Sequence, residues 1–483
     1  MDVQRELAVP TQLFIGGRFV GAGDGGVFEV LDPATETSIA TVANGTVEDA
    51  QAAVAAAAAA QPAWAAQAPR ARAEILRRAF ELILAQQEPL ARLITRENGK
   101  SLTDARAEMA YAAEFFRWYS EEAVRNIGQL SRAPSSGARI MVQHKPAGVA
   151  VLVTPWNFPA AMGTRKIAPA LAAGCTMVVK PASETPLTML ALAPLLEEAG
   201  VPQGVVNIVT SRRSAAVVNA MLADPRVRVV SFTGSTETGR RLLRSAADTV
   251  INPRMELGGN APFIVLPDAD LEAATAGAMV AKMRNMGEAC TAANRFYVHA
   301  DVHEEFVGRL SRAMGALKVG NGLEAGVAVG PLVNADTRDK VESLVEDARA
   351  RGARVHTGGH RLPPPGYFYA PTVLSQVPDE ALCVREEIFG PVAPVLSFRS
   401  EDELIERANS TEYGLVAYLY TRDLGRGLAL SERLEAGMIG LNRGVVSDPA
   451  APFGGVKQSG LGREGGHEGM MEFLETQYVS VSW

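Results

Sequence analysis

A thiol and a carboxylate carried on separate, small-residue segments can make a two-step covalent catalyst, and this chain has both. Cys290 sits in RNMGEACTAAN, and Glu256 sits 34 positions earlier in MELGGN. Glycine and alanine around the thiol leave room for a substrate, and the two glycines after Glu256 let backbone come close to another group. A lone free cysteine serves as often as a small apolar filler. The pairing is decided by what surrounds it.

Those groups must be positioned by a large frame. The 483 residues are 47% apolar and carry a formal charge of −7, enough for two or three domains with ample cores. No Lys/Arg cluster suggests nucleic acid, and no apolar run approaches the roughly 18 residues of a membrane span. MDVQRELAVP lacks the basic-then-apolar layout of a signal peptide. Three scattered cysteines, Cys175, Cys290 and Cys383, fit free thiols in a reducing cytoplasm. Six scattered histidines, without CxxC or HExxH, speak against a metal site.

Helical signals dominate the start. Thr46 caps an alanine-rich stretch, and two more helices are expected at 70–87 and 101–125. Residues 126–146 break this pattern with the extended ARIMVQH. From Gly148, short Val-rich strands alternate with helices, the signature of a doubly wound parallel sheet. Ligands of such sheets bind beyond the C-terminal strand ends, which puts Asn157, Lys180, Ser183, Gly234 and Ser235 on one rim. A second alternating region runs from about Ala261 to Phe453, and TQYVSVSW reads as an edge strand. No GxGxxG follows a strand. Instead SFTGSTETGRRLL leads a strand into a helix start at Gly234 and Ser235, where N–H groups would suit a phosphate.

TPWNFP, KPASETP, FTGST, MELGGN, GEACT, EEIFGP and PFGGVKQSGLGREGG occur in this order. Together they resemble the NAD(P)-dependent aldehyde dehydrogenase superfamily over about residues 12–483. TRK at 164–166, MRN at 283–285 and ELGGNAPFIV resemble its succinate-semialdehyde branch. The implied fold is α/β, with two doubly wound parallel-sheet domains and a small β oligomerisation element. The expected divisions are 1–125 with 147–258 for cofactor, 259–458 for catalysis, and 126–146 with 459–483 for assembly into a homodimer or homotetramer.

The resemblance implies Cys290 as nucleophile, Asn157 as oxyanion donor, Glu256 as the water-activating base, and Lys166 with Glu464 as a proton relay. It implies cofactor contacts from Thr154, Pro155, Trp156, Asn157, Lys180, Ser183, Gly234, Ser235, Leu257, Glu387 and Phe389. Arg165, Arg284 and Ser447 match positions that grip a substrate carboxylate tail, a task suited to a guanidinium fork. Many NAD-preferring relatives carry Glu where Ser183 stands, so NADP is expected to be accepted and favoured, with NAD usable. Arg212 or Arg213 could pair with its extra phosphate, and a solvated surface role is equally open. Glu288 is expected near the entrance, where it would disfavour anions, and Arg443 near Ser447 could alter the accepted tail length. Glutarate semialdehyde or a related oxo-acid is therefore the alternative to succinate semialdehyde. A CoA-acylating reaction would use thiolysis, against which Glu256 argues. A non-catalytic role would not need Cys290, Glu256 and Asn157 together.

Overall fold

The computed structural model describes residues 9–483. Most of the MDVQRELAVP segment read for targeting lies outside the described residues. Among the described residues the strands form five sheets, two of them large. The first is eight-stranded, and its centre is five parallel strands in the order Val206–Ile208, Thr176–Lys180, Val149–Val153, Val227–Thr233 and Asn252–Glu256. These strands are Val-rich and buried, as a sheet covered on both faces demands. Helices Val47–Ala65, Ala161–Ala173 and Leu187–Ala199 cover it. Thr46 and Asp49 form a reciprocal capping box that starts the first of them.

The second large sheet has seven strands, six of them parallel, running Thr372–Ser375, Val392–Phe398, Ala293–His299, Ala261–Val265, Val416–Tyr420 and Met438–Leu441. A third, antiparallel sheet joins Gln129–Arg132, Arg139–Pro146 and Leu474–Val481. It carries exposed Leu130 and Tyr478. No described helix is long and apolar enough to cross a membrane.

The structure departs from the sequence reading in three places. Gln87–Asn98 is a separate helix, following directly on Pro69–Ala85 with no side-chain cap between them to mark the junction. Val27–Asp32 and Thr37–Ala43 form a hairpin that was not anticipated. Residues 459–483 were assigned to assembly, yet Gly460–Leu461 pairs with Met255 and Glu256 in the first sheet. A two-residue strand has no periodicity to announce it.

Candidate active site

Between the two large sheets lies a cavity of about 280 Å³, walled by loops from both. Strand ends supply most of the wall. Pro155, Trp156 and Asn157 follow Val149–Val153, Thr233 to Ser235 end and follow Val227–Thr233, and Leu257 with Gly258 follow Asn252–Glu256. Cys290 comes from the other side, after helix Leu271–Met283. The residue is half-buried and lines the cavity.

A tight backbone turn delivers Cys290. Asn285, Met286 and Gly287 have φ of 52°, 58° and 81°, three consecutive left-handed residues. Each non-glycine residue there costs on the order of 1–2 kcal/mol, so outside contacts must hold the turn. The Asn285 side chain donates to the carbonyls of Asn157 (2.9 Å) and Glu288 (2.8 Å), tying the turn to the facing loop. Gly259 permits the final approach. A Cβ on it would meet the Cys290 carbonyl oxygen at 2.3 Å, so the GG of MELGGN has a steric reason. Gly454 does the same for Glu256, because a Cβ there would press on Oε1 at 2.9 Å.

Behind the TPWNFP loop is a buried polar clamp. Lys100 and Glu108 are 0% exposed and 2.5 Å apart. Lys100 also donates to the Asn157 carbonyl at 2.7 Å, and Glu108 accepts from the amides of Ala160 and Ala161. Asn98 donates to the Trp156 carbonyl, while Glu97 holds the amides of Leu187 and Thr188. The loop is thus fixed from below by helix-end residues, which leaves the Asn157 side chain free to face the cavity.

The electrostatics are set by burial. Glu256 is 4% exposed, and neither carboxylate oxygen has a hydrogen-bond partner. Burial and the neighbouring Glu464 carboxylate hold it well above the usual carboxylate range, against the pull of Arg165 and Lys166. Burial, with help from Glu387, pushes the Cys290 thiol up to about 12, while Arg165 acts in the opposite direction. The resting sulfur is therefore protonated. Asn157 Nδ2 donates to the Glu288 carbonyl at 3.0 Å, which occupies one of its two N–H bonds and leaves the other available.

Lys166, Glu464 and Arg165 form one buried ionic group. Lys166 donates to Glu464 and, at 2.9 Å, to Ser231. Arg165 Nε lies 2.6 Å from Glu464 Oε2 but off the hydrogen-bonding direction, so the contact is ionic without a directed bond. Arg165 still lines the cavity, packed over Phe453 at 4.1 Å. Arg284 differs from it. Its guanidinium stands over Phe158 (5.0 Å) and Tyr111 (5.8 Å) and donates to Ser447 Oγ at 3.3 Å. Among the described residues no carboxylate lies within ion-pairing distance of it.

Along the cofactor-facing rim, Ser235 caps helix Thr236–Ala247, and a Cβ at Gly234 would collide with Phe232 at 2.4 Å. Lys180 ends its strand beside Thr154 and donates to Ser214 at 2.6 Å; burial pulls its pKa down to about 8. Ser183 donates to Glu184 at 3.2 Å. Glu387 Oε1 accepts from Gly259 N at 3.0 Å, and Phe389 packs edge-on to Trp156. Thr154 and Thr233 hydroxyls are buried and unpartnered. This set fits a dinucleotide: a capped helix start for phosphate, carboxylate and lysine for ribose hydroxyls, aromatic edges for a flat ring.

One expectation is corrected. Glu288 is 0% exposed and absent from the cavity wall; its Oε1 accepts from Val333 N, pointing away from the entrance. Its reversal follows from the left-handed turn, which sequence pattern does not reveal. Arg213 is engaged by Asp24 at 2.8 Å, and Arg443 is exposed, sharing only a separate surface hollow with Ser447. Arg212 stacks over Phe28 and donates to the Glu29 carbonyl. Thr154, Lys166, Lys180, Ser183, Glu256 and Glu464 stand behind or beside the wall; the other expected site residues line it. Tyr111, Phe158, Met162, Phe453 and Lys340 also line it, beyond the sequence reading, since aromatic or apolar residues and a surface lysine carry no chemical signature.

Residues 19–479 match the model of the aldehyde dehydrogenase family, and the chain belongs to that family. It is an oxidoreductase that works on aldehydes with NAD or NADP. Its sequence is 55% identical to a succinate-semialdehyde dehydrogenase of Paenarthrobacter nicotinovorans, over 92% of this chain and 99% of the relative. It is 47% identical to a glutarate-semialdehyde dehydrogenase of Pseudomonas aeruginosa, over 97% of each. The crystal structure of succinate-semialdehyde dehydrogenase from Burkholderia pseudomallei superimposes with a TM-score of 0.97 at 48% identity, covering 98% of both chains.

Proposed function

We propose that the enzyme oxidises succinate semialdehyde to succinate. The observation that carries this reading is Arg284: a cation on the wall of the Cys290 cavity, with no carboxylate of the described residues within ion-pairing distance and a hydroxyl from Ser447 at its side. A desolvated guanidinium is stable beside a bound anion, and the tail carboxylate of a short semialdehyde supplies one. Arg165, neutralised by Glu464, contributes field more than grip. The similarity to a glutarate-semialdehyde dehydrogenase agrees with the same anionic tail at a different length.

In the proposed mechanism Cys290 gives its proton to water in the open cavity, and its sulfur bonds to the aldehyde carbon. The free Asn157 N–H and the Cys290 backbone N–H receive the developing oxyanion. A dinucleotide held by Ser235, Glu387 and Phe389 would supply the acceptor for the hydride of that carbon. The chain is left acylated at sulfur. Glu256 then takes a proton from water, the water oxygen attacks the thioester carbon, and the Cys290 thiolate departs as the acid forms. Lys166 and Glu464 lie beside Glu256 to move its proton onward.

Arg284→Ala is expected to raise KM for succinate semialdehyde by about 10²-fold, the loss of one charge-assisted bond in a dry site, with little change for an uncharged aldehyde of equal length. Equal shifts for both would refute the anion reading. A panel of semialdehydes of three to six carbons fixes tail length.

For the cofactor we infer acceptance of both forms with NADP favoured. Lys180 and Ser183 offer donors where a 2′-phosphate would lie, although Glu184 beside them opposes it. The ratio of kcat/KM for NADP over NAD is expected above one, and Lys180→Met should lower it by about tenfold. A wild-type preference for NAD would overturn this. The sheet bearing exposed Leu130 and Tyr478 suits assembly with another subunit, and the free, buried Cys175 and Cys383 suit a reducing cytoplasm.

A further inference from the structure

We propose that Asp104 is a specificity-determining positioning residue: it anchors the turn that delivers Cys290, and its charge limits how tightly Arg284 holds an anionic aldehyde. The second half rests on the anion reading above.

Asp104 lies in the first turn of helix Leu102–Glu122, capped by Ser101. Its Oδ2 accepts from the Asn285 amide at 3.1 Å. Asn285 is the first of the three left-handed residues, so this bond fixes the entry of a backbone that would otherwise relax. Beyond the catalytic cavity is a second one of about 550 Å³, with Asp104 and Arg284 both in its wall. Phe158 and Arg284 line both cavities. Arg284 is thus the partition, with substrate on one side and Asp104 on the other. Burial raises the Asp104 carboxyl, and Lys100 and Arg284, the cations facing it, with the Asn285 amide pull the other way, toward its charged form. Glu108, also in this wall, is neutralised by Lys100. Asp104 is then the anion against which an incoming carboxylate competes for the Arg284 field.

The two roles separate by substitution. Asp104→Asn keeps an acceptor for Asn285 and removes the charge. It should lower KM for succinate semialdehyde about three- to tenfold, as removal of one nearby unit charge implies, and leave kcat and the KM of an uncharged aldehyde unchanged. Asp104→Ala removes the acceptor as well. It should lower kcat for both aldehydes about tenfold or more, and Asn should restore it. The proposal falls if Asp104→Asn leaves the anionic KM unchanged or raises it, if it shifts both aldehydes alike, or if Ala and Asn give the same kcat. Thermal midpoints of both variants identify an unfolded Ala variant, in which case the Asn result decides alone. Arg284→Ala run beside them tests the anion reading separately: a charge-selective loss there with no response at Asp104→Asn sinks this inference and spares that one.

Discussion

Cys290→Ala is expected to lower kcat/KM by about 10⁴-fold or more while cofactor binding stays near normal. The covalent route needs a sulfur at this one place, and no other thiol can substitute, because Cys175 and Cys383 are buried elsewhere. The fold should survive. Cys290 is only half-buried against the second core, and alanine fills nearly the same space. Steady-state production of reduced cofactor, with a dinucleotide titration as control, is the measurement. Retention of more than a few per cent of activity would end the covalent scheme. A pH dependence accompanies it. With the thiol pushed up to about 12, the reactive thiolate is scarce at neutral pH, so the acylation rate of the wild type should climb as pH rises.

Glu256→Gln should reduce steady-state kcat by about 10²–10⁴-fold, the usual span for a general base. The variant is nearly isosteric, and neither carboxylate oxygen gives up a hydrogen bond. If Glu256 activates water, the acyl-enzyme still forms, and rapid mixing shows a burst of about one equivalent of reduced cofactor per site. Loss of the burst would instead make Glu256 the base that deprotonates Cys290. The sign with pH is clear. A base works unprotonated, and burial with the Glu464 charge holds this one well above the usual range. Wild-type kcat should therefore rise through that raised value as pH increases, and the glutamine variant should lack this limb.

Much of the site was legible because its residues sit on loops at strand ends, where short motifs with glycine survive as readable words. MELGGN and GEACT could be paired on the page, and Gly259 against the Cys290 carbonyl gives that pairing its steric cause. The alternation from Gly148 onward carried the two large sheets, because fully buried strands must be short and apolar. What stayed hidden depended on direction. Glu288 stands two positions from the nucleophile, and only the left-handed turn before it sends its side chain to Val333. Arg165 and Arg284 look equivalent as letters, and both stack on aromatic rings; only tertiary packing gives the first a carboxylate and the second a hydroxyl, from Ser447. Tyr111 reads as one more residue on a buried helix, though it lines the cavity and its buried hydroxyl has no partner.

The clamp of Asn98, Lys100 and Glu108 beneath the TPWNFP loop bears on how the protein is made. On the ribosome these residues emerge well before Asn157, and Cys290 follows Asn157 by 133 positions. At about 5–20 residues per second that interval lasts roughly 7–27 s. The nascent amino-terminal half can therefore hold the oxyanion loop from below while the thiol is still untranslated, so the reactive group arrives after the floor it will face.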